Sequence, residues 1–154
     1  MILKTPTYGL WTLTAVTAGL RPAAGRLKHA EMRKAFRGEA SGRIIAPLVE
    51  GDKQVGVVLE CDGTATHLGS YRRTEEIRFG EHGRLMGNFV LRSADGDELH
   101  IRFEAGMVST SEARGTYEIT GGRGRYQGVS GEALVVVTID GSYIGVVFDG
   151  SVCF

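Results

Sequence analysis

The chain has 154 residues with 18 basic and 18 acidic side chains, so its formal net charge is zero at neutral pH. That balance argues against nucleic acid as a main partner, because neutralising phosphates calls for a basic excess. Hydrophobic residues make up 42% of the chain, enough for one continuous core, and the length fits a single domain over residues 1–154.

Twenty-three glycines against three prolines is the composition of strands bending at corners rather than of a linker. Cys61 and Cys153 are too few for a disulfide framework and read as two ordinary thiols. At the N-terminus Lys4 precedes a mildly apolar stretch ending at Ala18, but Thr7, Tyr8, Trp11, Thr12, Thr14 and Thr17 interrupt it in near alternation. It reads as a strand, not an export signal, and a cytoplasmic protein is expected. No run reaches the ~20 apolar residues of a membrane-spanning helix.

In chain order, Tyr8–Ala18 alternates Leu10, Thr12 and Thr14 with Trp11, Leu13 and Ala15, a strand pattern. Arg21–Arg33 holds Pro22 and then helix formers, so one short helical turn is expected there. Ala35–Ile45 returns to strand, and Pro47–Lys53 reads as a turn with Gly51-Asp52 as its hairpin signal. Val55–Glu60 is an almost unbroken apolar run, with Glu60 or Cys61 expected at one end of the structure. Asp62-Gly63 marks a further turn. Thr64–Phe79 reads as one long strand, or two joined at a kink near Gly69. Glu81-His82-Gly83 closes a hairpin into Leu85–Arg92, and Asp95-Gly96 closes the next into Glu98–Val108. After a polar loop at 109–113, the stretch Gly115–Val137 reads as strand, glycine-rich corner and returning strand. Asp140-Gly141 turns into a last strand, Tyr143–Cys153.

Gly121, Gly122 and Gly124 supply the backbone freedom of that corner, and Gly128 and Gly131 recur where the next strand bends. Gly122, Gly124 and Gly128 come close to a GxGxxG phosphate loop. Such a loop must open a helix, whereas this chain runs on into the β-branched stretch Ala133–Ile139. These glycines are structural. Eight or nine strands with a turn signal about every ten residues give an all-β sandwich or barrel.

The segment ITGGRGRYQGVSGEA, residues 119–133, resembles the strand–corner–strand of the allene oxide cyclase barrel superfamily. RFGEHGRLMGNF, residues 78–89, is similar to a hairpin of that family, and GTATHLGSY, residues 63–71, to a strand of its uncharacterised bacterial members. The superfamily includes the plant cyclases and the spirotetronate cyclases. The resemblance covers roughly residues 33–154 and implies a closed antiparallel β-barrel of about eight strands, allene oxide cyclase or calycin-like, which leaves no free edge. A barrel of that size is either filled or holds one small ligand.

Side chains alternate in and out along a strand, so parity identifies the lining. Leu85, Phe89 and Leu91, and Leu99, Ile101, Phe103 and Ala105, place odd positions inside. Their neighbours His100, Arg102 and Glu104 then face outward. Ile77 and Phe79 carry the same parity back to Glu75, Arg73, Tyr71 and His67, a polar inward stripe, unless a bulge near Gly69 or Ser70 shifts it. Buried charges must be paired or used, and Arg73 and Glu75 are two apart on one face. Tyr117 shares parity with Ile119, and its hydroxyl needs a partner inside. Trp11 reads as core packing or as a substrate platform. His29 and His82 fall in loops. No HxH, HExxH or CxxC spacing and no GxSxG elbow is present, so neither a metal site nor a hydrolase triad is expected.

The resemblance implies cofactor-free chemistry, in which an apolar lumen folds a reactive substrate and a few polar groups steer ring closure. The plant cyclases carry a glutamate on the first strand, whereas YGLWTLTAV has no acidic residue, so allene oxide cyclisation itself does not transfer. Orientation of a flexible substrate alone supplies much of a cyclisation barrier. The expected function is a cofactor-free cyclase or isomerase acting on an epoxide- or polyene-type molecule in the lumen. His67, Tyr71 and Glu75 would provide proton transfer or hydrogen bonds, and Arg73, Trp11, Phe89, Phe103 and Tyr117 would bind substrate. Two alternatives stay open: a non-catalytic small-ligand binder, and a filled barrel acting through its surface. Zero net charge and the association of the plant relatives also suggest a homo-oligomer.

Overall fold

The computed structural model describes residues 33–154, and these form a closed eight-stranded barrel in sequence order. The strands are β1 (Arg33–Glu50), β2 (Lys53–Ala65), β3 (Gly69–Phe79), β4 (Arg84–Arg92), β5 (Glu98–Met107), β6 (Glu112–Arg123), β7 (Ser130–Asp140) and β8 (Tyr143–Cys153). The only helical turns among the described residues are single 3₁₀ turns at Glu81–Gly83 and Gly124–Tyr126. The strand read at Tyr8–Ala18, the helical turn at Arg21–Arg33 (apart from Arg33 itself), Trp11 and His29 lie outside the described residues. None of the described helices is long and apolar enough to cross a membrane.

Alternation builds the wall. Along β7 Ala133, Val135 and Val137 are buried while Leu134 is exposed, and β5 buries Leu99, Ile101, Phe103 and Ala105. On the outer face of β5, Arg102 pairs with Glu118 and Glu104 with Arg84, so the even-numbered charges face outward as the parity predicts.

Two local readings are corrected. Pro47 stands inside β1, opposite Val57, rather than in a turn. Register shifts between Ile44 and Ala46 and between Leu48 and Val49 flank it, and such irregularities are where a strand tolerates proline. Asp62-Gly63 does not turn either. Gly63 lies in the ladder opposite Ala40 and Tyr71, and a Cβ there would stand 2.7 Å from the Tyr71 ring, so the glycine makes room for that side chain. The reversal comes at residues 66–68, where His67 (φ 68°) and then Gly69 (φ 78°) adopt left-handed backbone. Of the two readings of Thr64–Phe79, the structure takes the second: the end of one strand, a turn beside Gly69 and a second strand.

The barrel has two unlike ends. At the first, the turns 66–68 and 93–97 and the corner 124–129 meet the start of β1. Phe36, Leu68, Leu91, Leu99, Tyr126, Val129 and Val152 are buried there as a solid plug. The glycine-rich corner seats Tyr126, whose hydroxyl donates to the carbonyl of His67, as does Arg125 Nη2 at 2.9 Å. Gly124 (φ 68°) permits this fold-back, because a Cβ there would lie 2.0 Å from Asp97 Oδ1. Gly122, read as a positive-φ corner residue, is not among those with left-handed backbone. At the other end the turns 51–52, 80–83, 108–111 and 141–142 surround an open mouth.

Candidate functional site

Below the mouth lies a cavity of about 330 Å³, within the range of small-molecule sites. Its walls are aliphatic: Ile44 of β1, Val57 and Leu59 of β2, Ile77 of β3, Val137 and Ile139 of β7, and Ile144 and Val146 of β8. Phe103 and Met107 complete the wall, and Phe79 and Leu85 reach the rim. Phe79 is 47% exposed, because it stands at the last position of β3.

The floor of this apolar chamber is ionic. Arg73, Glu75 and Tyr117 line it, and strict alternation on β3 aims both charged side chains inward. Arg73 Nη2 lies 3.1 Å from Glu75 Oε1, and both side chains are at most 3% exposed. The same nitrogen donates to Tyr117 Oη at 3.1 Å. Beneath, the guanidinium stacks 4.0 Å from the centroid of Phe89, a cation–π contact in a water-poor setting. Tyr117 is held in turn by Phe89, Phe103 and Phe148, with ring centroids 5.2–5.8 Å away. Tyr71 extends the stripe one step further from the mouth, and Cys61 stands opposite Arg73 in the β2–β3 ladder.

The floor, and Tyr71 behind it, are incompletely satisfied. Arg73 Nε and Nη1, Glu75 Oε2 and Tyr71 Oη are buried with no hydrogen-bond partner among the described residues. An unpartnered buried polar atom costs about 1–3 kcal/mol, more when charged, so four together form an unusual concentration. Burial pushes the Glu75 carboxyl above the ordinary carboxylate range, with Arg73 pulling it part of the way back. Burial works against the Arg73 charge, but the Tyr117 oxygen and the Glu75 carboxylate outweigh it and hold the guanidinium protonated. Burial pushes Tyr71 up to about 12 and raises Tyr117 as well, so both stay neutral hydroxyls. It also raises the Cys61 thiol, against the pull of Arg73.

Of the residues singled out in the sequence, Arg73, Glu75, Phe103 and Tyr117 meet in the cavity. Tyr71 and Phe89 are buried just behind it. His67 does not join them. It sits exposed in the turn before β3, with Nε2 3.1 Å from the Ala35 carbonyl and its ring edge-on to Phe154. Parity cannot be carried through a reversal, and that is why the inward stripe ends at Tyr71. Glu60 points outward, and Cys61 stands in the interior rather than at the mouth. Parity places Ile77 and Leu85 of the aliphatic lining inside, but not the β7 part of the wall. In a run such as Leu134-Val135-Val136-Val137 every position is apolar, so alternation leaves no trace. No three His, Cys, Asp or Glu side chains gather as a metal site among the described residues.

Comparison with known proteins shows the fold. The chain is similar to the pterocarpan synthase dirigent protein PsPTS1, with 19% identity and a TM-score of 0.57 over 80% of this chain and 96% of that one. It is also similar to the pterocarpan synthase dirigent protein GePTS1, with 14% identity and a TM-score of 0.56 over 79% of this chain and 86% of that one. No protein-family profile matches the sequence, and neither does any curated protein.

Proposed function

We propose that the mouth-side cavity holds an apolar small molecule with its polar end on the Arg73–Glu75–Tyr117 floor, and that confinement there steers a ring closure or isomerisation. The observation that carries this reading is an aliphatic chamber ending on buried polar atoms that lack partners. Protein interiors rarely leave such atoms unmatched, whereas binding sites hold them ready for a ligand. The likeness of residues 78–89 and 119–133 to allene oxide cyclase barrels supports the reading, as does the fold shared with two proteins named as synthases.

The chemistry divides naturally among the floor groups. The chamber walls fix a flexible substrate in one reactive conformer, which removes entropy from the barrier. Arg73 and Tyr117 stabilise charge developing on a substrate oxygen, in a setting where such contacts act without reorganisation. Glu75, with its carboxyl pushed upward by burial, exchanges a proton with that oxygen or an adjacent carbon.

The test is a screen of apolar epoxides and polyenes, scored by chiral separation of products. The wild-type protein is expected to give an enantio-enriched cyclic product, and Glu75→Gln to slow it by about 100-fold or more. Turnover unchanged in Glu75→Gln would remove Glu75 from the chemistry. Racemic product at the uncatalysed rate, with ligand still bound, would leave the cavity a carrier site.

A further inference from the structure

Resting on the reading of the cavity as a ligand chamber, we infer that the mouth end docks on a zwitterionic lipid layer of the phosphatidylcholine type, from which an apolar ligand enters the chamber without crossing water. The inference comes from where the exposed large apolar side chains stand. Each hairpin turn around the mouth carries one within two residues of it: Val49 beside 51–52, Phe79 beside 80–83, Val108 in 108–111 and Tyr143 beside 141–142. All four are between 47% and 68% exposed. The turns at the other end, 66–68, 93–97 and 124–129, carry none, and their apolar residues Leu68, Tyr126 and Val129 are buried.

An exposed apolar set of this kind marks a contact with a protein or a membrane. Its placement favours the membrane. The four side chains stand on separate hairpins around the rim, with glycine, serine and charged residues between them. A protein partner is held by a packed core of contact with matched shape. A fluid lipid layer needs no such match, and it binds in proportion to the apolar area it takes up. Phe79 belongs both to the rim and to the cavity lining, so the docking surface is continuous with the chamber. A ligand that suits the aliphatic wall also concentrates in lipid rather than in water.

Charge selects the lipid. Residues 49–53, 79–84, 108–112 and 140–143 hold five acidic side chains, Glu50, Asp52, Glu81, Glu112 and Asp140, against two basic ones, Lys53 and Arg84. An anionic lipid surface repels such a rim, because it attracts basic segments. The outermost choline ammonium of a zwitterionic layer complements it. Phe79 and Tyr143 add ring faces of the kind that attract quaternary ammonium groups. Tyr143 can also bury its ring and leave its hydroxyl among the headgroups.

The test is flotation of the full-length protein with vesicles of phosphatidylcholine and with vesicles rich in phosphatidylserine. Wild-type protein should float with the first and less with the second. Val108→Asp combined with Tyr143→Asp should lower the partition into phosphatidylcholine by about tenfold or more. Leu134→Asp should leave it unchanged, since Leu134 is 71% exposed but stands on the flank of β7. Titration with 2-octanone, a small apolar ketone, in lipid-free buffer tests the chamber separately, and the double variant should bind it as the wild type does. No flotation with phosphatidylcholine, a preference for phosphatidylserine, or an equal loss in Leu134→Asp would overturn the inference, and 2-octanone binding would then keep the chamber reading intact. A smaller sedimentation coefficient of the double variant in lipid-free buffer, with no flotation of the wild type, would make the rim a contact between copies of this chain and overturn the inference too. Rim-dependent flotation with no binding of 2-octanone would support the docking surface and overturn the chamber reading.

Discussion

The two ends of this barrel are built from the same alternating strands, yet one is solid and the other hollow. The corner end is filled by Phe36, Leu91, Leu99, Tyr126 and Val152, each at most 2% exposed. The mouth end uses aliphatic side chains of similar size but leaves about 330 Å³ between them. The difference lies in the turns. The glycine-rich corner folds Tyr126 back over the barrel, and the 66–68 turn adds Leu68. At the mouth no turn residue is fully buried; the 80–83 turn leaves Gly80 half-buried and Glu81, His82 and Gly83 exposed. Between plug and chamber lies the Arg73–Glu75 pair, with Arg73 Nε and Nη1 and Glu75 Oε2 left without partners. Close packing is concentrated at one end, and unpartnered polar atoms of Arg73 and Glu75 stand where the chamber begins.

The largest expected effect is at the boundary. Arg73→Ala leaves Glu75 buried without its cation and should cost about 3–5 kcal/mol near neutral pH, measured by urea unfolding. The double substitution Arg73→Met with Glu75→Leu should be close to neutral or stabilising, because it removes both buried charges together. A double variant as unstable as Arg73→Ala would contradict this account of the pair.

Next comes the contrast of the ends themselves. Leu91→Ala, in the plug, should cost about 2–5 kcal/mol, since the vacated space has rigid walls. Met107→Ala borders space that is already open and should cost no more than about 1 kcal/mol. Equal costs would erase the distinction between solid and hollow ends. A sharper form uses one strand. Val135 and Val137 point the same way on β7, but only Val137 lines the cavity. Val135→Phe should overpack and cost about 1–3 kcal/mol. Val137→Phe should fold with little loss and abolish ligand binding, read by thermal unfolding and by titration with 2-octanone.

The smallest effect is a pH dependence. The folded-state pKa of Glu75 is raised above its unfolded value. Its contribution is therefore fully present below the unfolded carboxylate pKa and lost as pH rises through the folded one. Stability of the wild type, minus that of Glu75→Gln, should fall across that window and then level off. A difference that rises with pH would mean that Arg73 outweighs burial.

The sequence carried most of the fold and a good part of the site. Hairpin signals at Gly51-Asp52, Asp95-Gly96 and Asp140-Gly141 lie at real turns, and odd–even parity on β3 places Tyr71, Arg73 and Glu75 inside. His67 falls outside the stripe because the chain reverses at 66–68, beside the kink that Gly69 marks, and parity does not pass through a reversal. Gly63 reads as a turn in the sequence because a glycine that clears space for a ring looks the same as one that bends the chain. The cavity itself was not legible. Whether a barrel layer is full depends on the register that sets Val137 opposite Val146 and Ile139 opposite Ile144, and composition carries no register.

The most direct test of the central claim is methyl-labelled isoleucine NMR with 2-octanone as ligand. Ile44, Ile77, Ile139 and Ile144 line the chamber, whereas Ile101 and Ile119 belong to the packed interior. Saturable shifts confined to the first four methyls are expected. No saturable shift, or shifts equally large at Ile101 and Ile119, would contradict a hollow mouth above a solid plug.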